Sequence, residues 1–493
     1  MWLKSFAVAN TITGAALASP ALFQKQSGLG AFIEKESALA QQGILNNIGA
    51  DGTLVQGAAS GIVVASPSKS NPNYFYTWTR DAGLTMMAEI ERLAAGTNSS
   101  LESLIQEYVD SQVKQQVVSN PSGTLSNGSG LGEPKFEVNI TAFTGSWGRP
   151  QRDGPALRAS ALIAYGNYLI AHDKKSLAKT NLWPLIRNDL SYVGQYWNES
   201  TFDLWEEVNG SSFFTAAVQH KSLVEGAAFA AALGVACTGC SVAPQILCHL
   251  QEYWNGTAII SNTPTNGRSG IDANSVISSI HTFDPAAACD DVTFQPCSAR
   301  ALSNHKVYVD SFRLLYAVNQ GRHAGQAVAV GRYPEDVYQG GNPWYLTSLA
   351  AAEQLFDALY QWDQQGGINI TQLSAPFFSD LVPNATVGAY AKSSREYTTL
   401  AQAVRAYADG FIAVVQQYTP GDGGLAEQFS RSTGDPVSAI DLTWSYAAFL
   451  TAVARRSGSV PDTWGSSSAT SVPGQCSAAT VPGSYATPTI GSW

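Results

Sequence analysis

Three carboxylates and a tryptophan lie together at residues 203–207, in the order Asp-Leu-Trp-Glu-Glu. An indole beside carboxylic acids offers an apolar plane for a sugar ring and a low-dielectric wall that raises a neighbouring carboxyl pKa. A carboxyl that stays protonated in this way can act as a general acid. The alternative is a solvated helix start, where acids favour the positive end of the helix dipole. On a helical turn, Asp203 and Glu206 would share one face, whereas Glu206 and Glu207 would point about 100° apart.

Four other stretches place aromatic residues beside arginine and acidic residues, in segments typical of loops. Sugar hydroxyls are recognised by donors and acceptors, and the C–H faces of a sugar ring pack on aromatic planes. Each stretch alone also fits a buried tryptophan with a structural salt bridge. Together with residues 203–207 they favour a carbohydrate site. The stretches are Asn73–Asp81, Thr144–Asp153, Gly331–Asp336 with Asn342–Trp344, and Gly423–Gln428 with Asp441–Ser445.

The composition excludes several classes of partner. Charged residues make up 13% of the 493 positions and the formal net charge is −10, which argues against binding to nucleic acid or to an anionic membrane surface. Beyond the N-terminus, no stretch has the roughly 18 apolar residues that a membrane span needs. Glycosylation sequons would add solubility to a chain with 45% hydrophobic residues. The sequons begin at Asn98, Asn127, Asn139, Asn198, Asn209, Asn255, Asn369 and Asn384.

The N-terminus predicts secretion. Lys4 precedes a weakly apolar stretch, and Ala16-Leu17-Ala18 is a small-x-small cleavage site. Residues 1–18 are therefore expected to be a signal peptide, residues 19–26 a pro-segment, and the mature protein extracellular. At the other end, residues 457–493 are rich in Ser, Thr, Pro and Gly, as in a glycosylated linker.

Six cysteines in a secreted chain favour disulfides, and six cysteines allow 15 pairings. Proximity in the sequence favours Cys237–Cys240 and Cys289–Cys297, which leaves Cys248 to pair with Cys476. The Cys-x-x-Cys at residues 237–240 could also indicate a metal or redox site. No second such motif accompanies it, and the histidines lack ligand spacing, so neither a metal nor a cofactor is expected.

Hydrophobic periodicity predicts about twelve helices. Clean alternation is scarce, and the nearest candidate strands are Thr53–Val64 and Gln326–Val330. So many helices without a parallel-sheet pattern predict an all-α toroid, in which inner helices are apolar nearly all round, as Ser211–Gly234 and Tyr345–Leu359 are. The predicted helices are Phe32–Asn47, Leu84–Ala95, Leu101–Val118, Pro155–Ala171, Leu182–Trp197, Ser211–Gly234, Val242–Trp254, Ile271–Ile280, Ser298–Asn319, Tyr345–Gln365, Ser393–Tyr418 and Ala439–Arg456.

From about Ile44 to Gly458 the sequence resembles the catalytic domain of fungal glucoamylases, which are glycoside hydrolases of family 15. Five long motifs in the family's order carry this resemblance, so it is specific. It implies an (α/α)6 toroid with a pocket formed by the loops at one end, and exo-acting hydrolysis of α-1,4-glucans. The motifs are Tyr76–Asp81, Gly145–Pro155, Asp203–Gly210, Val330–Asp336 and Asp441–Tyr446.

The resemblance also implies a role for each site residue. Glu206 falls where the family protonates the glycosidic oxygen, and Glu427 falls where it activates water. Arg80, Asp81 and Arg332 fall where the terminal glucose is held. The other residues expected to contact the first sugars or to line the pocket are Tyr74, Trp147, Leu204, Trp205, Glu207, Asp336, Trp344 and Trp444.

Asp203 is the rival candidate for the base. A base must hold water on the sugar face opposite the acid, and Asp203 is too close to Glu206 in sequence for that, so Glu427 is preferred. Asp203 is expected to supply local charge that keeps Glu206 protonated. Two alternatives remain: a related toroid glucosidase acting on trehalose or isomaltooligosaccharides, and a non-catalytic carbohydrate-binding toroid. The latter would be expected to lack Glu206 or Glu427, and both are present.

The domain organisation and partners follow from the same observations. The catalytic domain is expected at residues 27–456, and no starch-binding domain is expected after the tail at residues 457–493. The implied substrates are starch and maltooligosaccharides, cleaved to β-glucose from non-reducing ends, with slower attack on α-1,6 links. The protein is expected to be a monomer that needs no cofactor.

Overall fold

The computed structural model describes residues 20–489 and 491–493 of the chain. The predicted signal peptide at residues 1–18 lies outside these residues, while most of the expected pro-segment falls within the first helix. The helices are α1 (Pro20–Asn46), α2 (Thr79–Ala94), α3 (Leu101–Gln116), α4 (Asp153–Ala171), α5 (Lys175–Leu177), α6 (Trp183–Tyr196), α7 (Phe213–Leu233), α8 (Ala243–Leu250), α9 (Asn274–His281), α10 (Ala299–Ser311), α11 (Tyr345–Gln365), α12 (Ala375–Leu381), α13 (Arg395–Tyr418) and α14 (Thr443–Arg456).

Six helices form a closed inner ring. Around it, α2 packs against α4, α4 against α7, α7 against α9, α9 against α11, α11 against α14, and α14 against α2 again. The six outer helices, α1, α3, α6, α8, α10 and α13, alternate with the inner ones along the chain. The predicted (α/α)6 toroid is therefore confirmed. The short helices α5 and α12, which were not predicted, lie in connections between these elements.

The sequence patterns of the two rings differ as burial requires. Inner helix α11 is buried almost continuously from Tyr345 to Ala358, because neighbouring helices cover it on every side. Outer helix α13 buries positions such as Leu400, Val404 and Ala408 at helical spacing, and its other face is solvated. The expectation that inner helices are buried on both sides fits α11, whereas α7 exposes alanines in its last two turns, at positions 227, 228, 231 and 232.

Short antiparallel strands fix the loops between the helices; most of them lie where inner helices begin, and one pair follows the C-terminal end of α11. Strand β1 pairs with β2, β3 with β4, β4 with β5, β6 with β7, and β8 with β9. The strands are β1 (Thr77–Trp78), β2 (Lys135–Phe136), β3 (Thr201–Phe202), β4 (Asn209–Ser212), β5 (Asn262–Thr263), β6 (Gly367–Ile370), β7 (Gly388–Ala391), β8 (Gln428–Phe429) and β9 (Pro436–Val437).

The two candidate strands were wrong. Residues 53–64 form successive turns, in which Gly61 has a φ of +72° and lies so close to the α3 backbone that a side chain would not fit. Residues 326–330 begin at a bend and belong to no strand of the described sheets. Residues 61–64 and 327–330 are buried throughout, so their apolar character reflects burial in the core and does not indicate pairing with a sheet.

The C-terminal tail is bound to the body of the protein, unlike the linker that its composition predicts. The indole N–H of Trp197 on the outer ring donates to the carbonyl of Ala479 at 3.0 Å. Near the chain end, the indole of Trp493 donates to Asp110 at 2.9 Å. The amino-acid composition could not distinguish the two cases, because Ser, Thr and Pro are compatible with an extended segment whether it is bound to the protein or free in solvent.

The cysteines form the three disulfides that sequence proximity favours: Cys237–Cys240, Cys248–Cys476 and Cys289–Cys297. The second joins the tail to α8 across a sequence separation of 228 residues. Within the described residues, none of the helices combines the length and apolar character needed to cross a membrane.

Candidate active site

A cavity of about 600 Å³ opens at the end of the toroid where the inner helices begin. Arg80 and Asp81 lie in the first turn of α2, and Trp344 and Trp444 lie at the starts of α11 and α14. The loops that lead from outer to inner helices therefore form the cavity wall. The predicted site residues that line it are Tyr74, Arg80, Asp81, Trp147, Leu204, Trp205, Glu206, Glu207, Arg332, Trp344, Glu427 and Trp444.

Residues 203–207 form the turn between strands β3 and β4, so the interpretation as a helix start is wrong. Glu206 has a φ of +68°, in the left-handed region. The Asp203 carboxylate accepts hydrogen bonds from the backbone N–H groups of Glu207 and Val208 at 2.9 and 3.0 Å. The turn is also closed by the backbone, since the N–H of Glu206 donates to the carbonyl of Asp203 and the N–H of Asp203 to that of Val208, both at 2.9 Å. The side-chain bonds add to this pairing and help to hold Glu206 against the cavity.

Asp203 and Asp336 were expected at the site, but neither lies in the cavity wall. Asp203 is fully buried behind the turn, where its second oxygen accepts from Asn262 at 3.0 Å. Burial raises its pKa, and the backbone hydrogen bonds act in the opposite direction. Asp336 instead binds Arg332 through two hydrogen bonds of 2.6 and 2.8 Å. Both residues hold wall residues in place, Asp203 through the turn and Asp336 through Arg332.

The Glu206 carboxylate is held through one oxygen. Its Oε1 accepts from the indole N–H of Trp78 at 2.6 Å and from the Gln151 amide at 3.1 Å. The guanidinium of Arg80 lies 3.5 Å from the same oxygen. Among the described residues, none donates to Oε2, which is therefore the oxygen that can carry a proton towards a ligand.

Glu427 lies on a separate loop, directly before strand β8, and only 1% of its surface is exposed. Its Oε2 accepts hydrogen bonds from Gln428 at 2.9 Å and from the hydroxyl of Ser438. Burial raises the pKa of this carboxyl to about 7, while Ser438, Tyr74, Gln428 and the charge of Arg332 act to lower it. The group is thus a carboxylate of raised basicity with a fixed orientation.

Two arginines pair with the remaining acids of the cavity. Arg332 donates to Glu207 at 2.9 Å. Burial alone would raise the pKa of Glu207, but Arg332, the Tyr333 hydroxyl and Arg268 lower it below its ordinary value. On the other side, Arg80 lies 3.4 Å from Asp81, and burial raises the pKa of Asp81 to about 6 despite that contact.

Several residues of the site were not predicted. Trp78 and Gln151 lie inside motifs that were recognised, yet only the structure shows that both donate to Glu206. Lys135 lines the cavity, and Ser438 binds Glu427, but neither lies in a motif that could have indicated its position. Tyr338 also lines the wall, with its hydroxyl 2.7 Å from that of Tyr74.

Comparison with known proteins agrees with this geometry. The family model of Glycosyl hydrolases family 15 matches residues 38–454. A glucoamylase of Neurospora crassa is 58% identical over 463 residues, which is 94% of this chain and 74% of that protein. Glucoamylase P of Amorphotheca resinae is 54% identical over 450 residues, which is 90% of this chain and 73% of that protein.

Solved structures show the same fold. The family 15 glucoamylase from Hypocrea jecorina superposes with a TM-score of 0.93 at 55% identity, over 94% of this chain and 78% of that one. The glucoamylase from Saccharomycopsis fibuligera superposes with a TM-score of 0.81 at 30% identity, over 87% and 96% of the two chains. With the toroid, the paired acids and the family match in agreement, the chain belongs to glycosyl hydrolase family 15.

Proposed function

We propose that this protein hydrolyses starch and maltooligosaccharides with Glu206 as the general acid and Glu427 as the general base. Exo-acting glucoamylase activity on starch follows from the family and from curated glucoamylases that are 53–58% identical. The roles of the individual residues are inferred from their surroundings. A non-catalytic toroid is not supported, because both carboxylates lie in one cavity.

The observation that carries the residue roles is the complementary bonding of the two carboxylates. Glu206 receives its donors on Oε1, which leaves Oε2 to carry a proton to the glycosidic oxygen. Glu427 receives Gln428 and Ser438 on Oε2, which leaves Oε1 to accept a proton from water. The two groups come from separate loops, which allows them to approach a sugar ring from opposite faces, as single displacement requires of an acid and a base.

The cavity wall offers polar groups to a sugar. Arg80, Asp81 and Arg332 line the cavity and supply the directional bonds that sugar hydroxyls need. The indole faces supply the apolar contact. A cavity of about 600 Å³ lined by these groups fits the terminal glucose of a chain and the sugar that follows.

In the proposed reaction Glu206 donates its proton to the glycosidic oxygen as the C1–O bond breaks. Glu427 removes a proton from the water that attacks C1 from the other face. One displacement inverts the anomeric centre, so an α-linked substrate gives β-glucose and no glucosyl-enzyme forms. After product release, proton exchange with water returns a proton to Glu206 and removes one from Glu427.

A proton NMR time course on maltoheptaose tests this function. We expect the β-anomer of glucose to appear first and the α-anomer to follow only by mutarotation. An initial α-glucose signal would show retention and would make one carboxylate a nucleophile. A parallel assay of glucose release from maltose, isomaltose and trehalose should give the highest rate on the α-1,4 link, a slower rate on isomaltose, and little release from trehalose.

We further propose that the protein is a secreted monomer with a catalytic domain at residues 27–456. The disulfides support an oxidising compartment. The predicted signal peptide, the acidic net charge of −10 and the sequons are consistent with this location. Mass spectrometry of the secreted protein would identify its N-terminus and its occupied sequons.

A further inference from the structure

The side chain of Lys135 is enclosed by four aromatic rings beside the proposed acid. Only 2% of its surface is exposed. Its ammonium nitrogen lies 3.4 Å from the ring centre of Trp147, 4.0 Å from Tyr76, 4.3 Å from Phe143 and 4.7 Å from Trp78. We call these four rings the aromatic cage. Lys135 reaches it from strand β2, where it pairs directly with Trp78 across the ladder.

The cage is a closed circuit, because each ring contacts the next edge to face. The centroid distances are 5.3 Å from Tyr76 to Phe143, 5.9 Å from Phe143 to Trp147, 6.0 Å from Trp147 to Trp78 and 6.1 Å from Trp78 back to Tyr76. Ring faces are electron-rich and attract a cation at these distances. Within the described residues, the Lys135 ammonium makes no hydrogen bond or ion pair with another side chain.

Burying an ammonium without an ion pair costs desolvation free energy, and a methionine of similar length could fill the same space in the cavity wall without that cost. Burial lowers the pKa of Lys135 to about 8, with the charge of Arg149 acting in the same direction and the charges of Glu206 and Glu137 opposing it. Below that pH the cage holds a cation next to the carboxyl that the proposed reaction ionises. Trp78 links the two directly, since its indole N–H donates to Glu206.

We propose that Lys135 is a positioning residue for the acid step, which rests on the proposed role of Glu206. Its caged ammonium fixes the Trp78 indole that bonds Glu206, and it stabilises the carboxylate formed during bond cleavage. In that step the proton leaves Glu206 for the glycosidic oxygen, and the electrons of the C1–O bond pass to that oxygen. Lys135 gives up no proton and forms no bond, so it acts only through its charge and its contacts.

This role differs from two simpler ones in a measurable way. A lysine that donates to a substrate hydroxyl would affect KM for oligosaccharides. A lysine that only fills space would affect every substrate equally. A cation that assists the acid affects only those substrates whose leaving group needs a proton. Nitrophenolate needs little protonation to leave, whereas the sugar alkoxide of maltoheptaose needs it fully.

The test compares Lys135→Met, which removes the charge at similar length, with Lys135→Arg, which keeps it. Both variants are assayed on maltoheptaose and on p-nitrophenyl α-glucoside. For Lys135→Met we expect kcat on maltoheptaose to fall about tenfold and kcat on the nitrophenyl glucoside to change less than about twofold. Lys135→Arg should lose less on maltoheptaose. The alkaline limb of kcat/KM should move to higher pH in Lys135→Met only, because the acid then loses its proton less readily.

Equal losses on both substrates, a change in KM alone, or full activity of Lys135→Met would each overturn the proposal. Circular dichroism and melting temperature establish that the variants are folded, and Lys135→Gln replaces Lys135→Met if the latter does not fold. Glu206→Gln is assayed on the same pair of substrates. If Glu206→Gln keeps its activity on maltoheptaose, the proposed function itself is wrong, whatever the Lys135 variants show.

Discussion

The two carboxylates of the site, Glu206 and Glu427, differ in their electrostatic surroundings. Glu206 sits at a hairpin turn in the cavity wall, beside two cations, Arg80 and Lys135. Glu427 is almost completely buried, and its oxygen is held by the neutral donors Gln428 and Ser438. Cations stabilise the charge that an acid acquires when it gives up its proton. Burial raises the basicity of a group that must accept one.

The supporting structures differ as well. Both residues are held by the backbone, since the N–H of Glu206 donates to Asp203 at 2.9 Å and the N–H of Glu427 donates to Ala439 at 2.8 Å. The turn of Glu206 has in addition a buried carboxylate behind it, Asp203, which accepts two further backbone N–H groups. We therefore expect substitution of Asp203 to affect the turn that carries Glu206, and substitution of the donors to Glu427 to act mainly on its pKa.

The largest expected effect is the loss of either carboxylate. Glu206→Gln and Glu427→Gln should each lower kcat on maltoheptaose by about a thousandfold or more, because each change removes a proton-transfer partner and keeps the shape. They should differ on p-nitrophenyl α-glucoside, where Glu206→Gln keeps much of its activity and Glu427→Gln does not. Melting temperatures serve as the folding control. If both variants responded alike to the leaving group, the acid and base assignments would lose their support.

The sequence predicted most of the fold because helical periodicity survives burial. The toroid needs only alternation between helices that are apolar all round and helices with one apolar face, and α11 and α13 show this in their residues. The boundaries of α11 at Tyr345 and Gln365 agree with the prediction. Helix α12, at Ala375–Leu381, escaped because seven residues are too few to show a period.

The site was predicted less completely, and the reason is physical. The resemblance placed Glu206 and Glu427 in one pocket, but spacing cannot tell a helix start from a hairpin turn for residues 203–207. It was a left-handed residue, Glu206, that decided between them. Contacts between distant loops, such as Ser438 with Glu427 and Trp78 with Glu206, depend on tertiary packing and leave no local signal.

The next largest effect should come from the indole that donates to the acid. Trp78→Phe keeps an aromatic ring in the cage and removes the N–H that bonds Glu206 at 2.6 Å. We expect kcat on maltoheptaose to fall roughly tenfold, as a lost charge-assisted hydrogen bond implies. The matched control is Trp197→Phe, whose indole donates to the bound tail far from the cavity. Equal losses in the two variants would mean that the bond does not orient the acid.

A smaller effect on rate is expected behind the turn. In Asp203→Asn an amide NH2 group replaces the carboxylate oxygen that accepts from Asn262. Two amide NH2 groups then face each other, and one of them has no acceptor. We expect the free energy of unfolding to fall by about 1–3 kcal/mol and kcat to fall only a few-fold. Urea unfolding and steady-state kinetics measure the two quantities, with exposed Asp51→Asn as the control. If Asp203→Asn instead lowered kcat as much as Glu427→Gln does, Asp203 would again be a candidate for the general base.

The smallest effect tests the base side through pH. The Ser438 hydroxyl donates to the Glu427 carboxylate and so favours its ionised form. Ser438→Ala removes that bond, and the pKa of Glu427 should therefore rise further above its ordinary value. Because the base works only when ionised, activity grows as pH increases through this pKa, and the acid limb should move to higher pH.

On the proposed roles the alkaline limb reports the acid, which Ser438 does not contact, so this limb should stay in place and the profile of Ser438→Ala should become narrower from the acid side only. Near the optimum, kcat should change by about twofold or less, because Gln428 and Tyr74 still stabilise the carboxylate. The control is Ser432→Ala, an exposed serine of the same loop. Profiles of kcat/KM on maltoheptaose give both limbs. A shift of the alkaline limb in Ser438→Ala, matched by a shift of the acid limb in Lys135→Met, would require the two carboxylates to exchange roles.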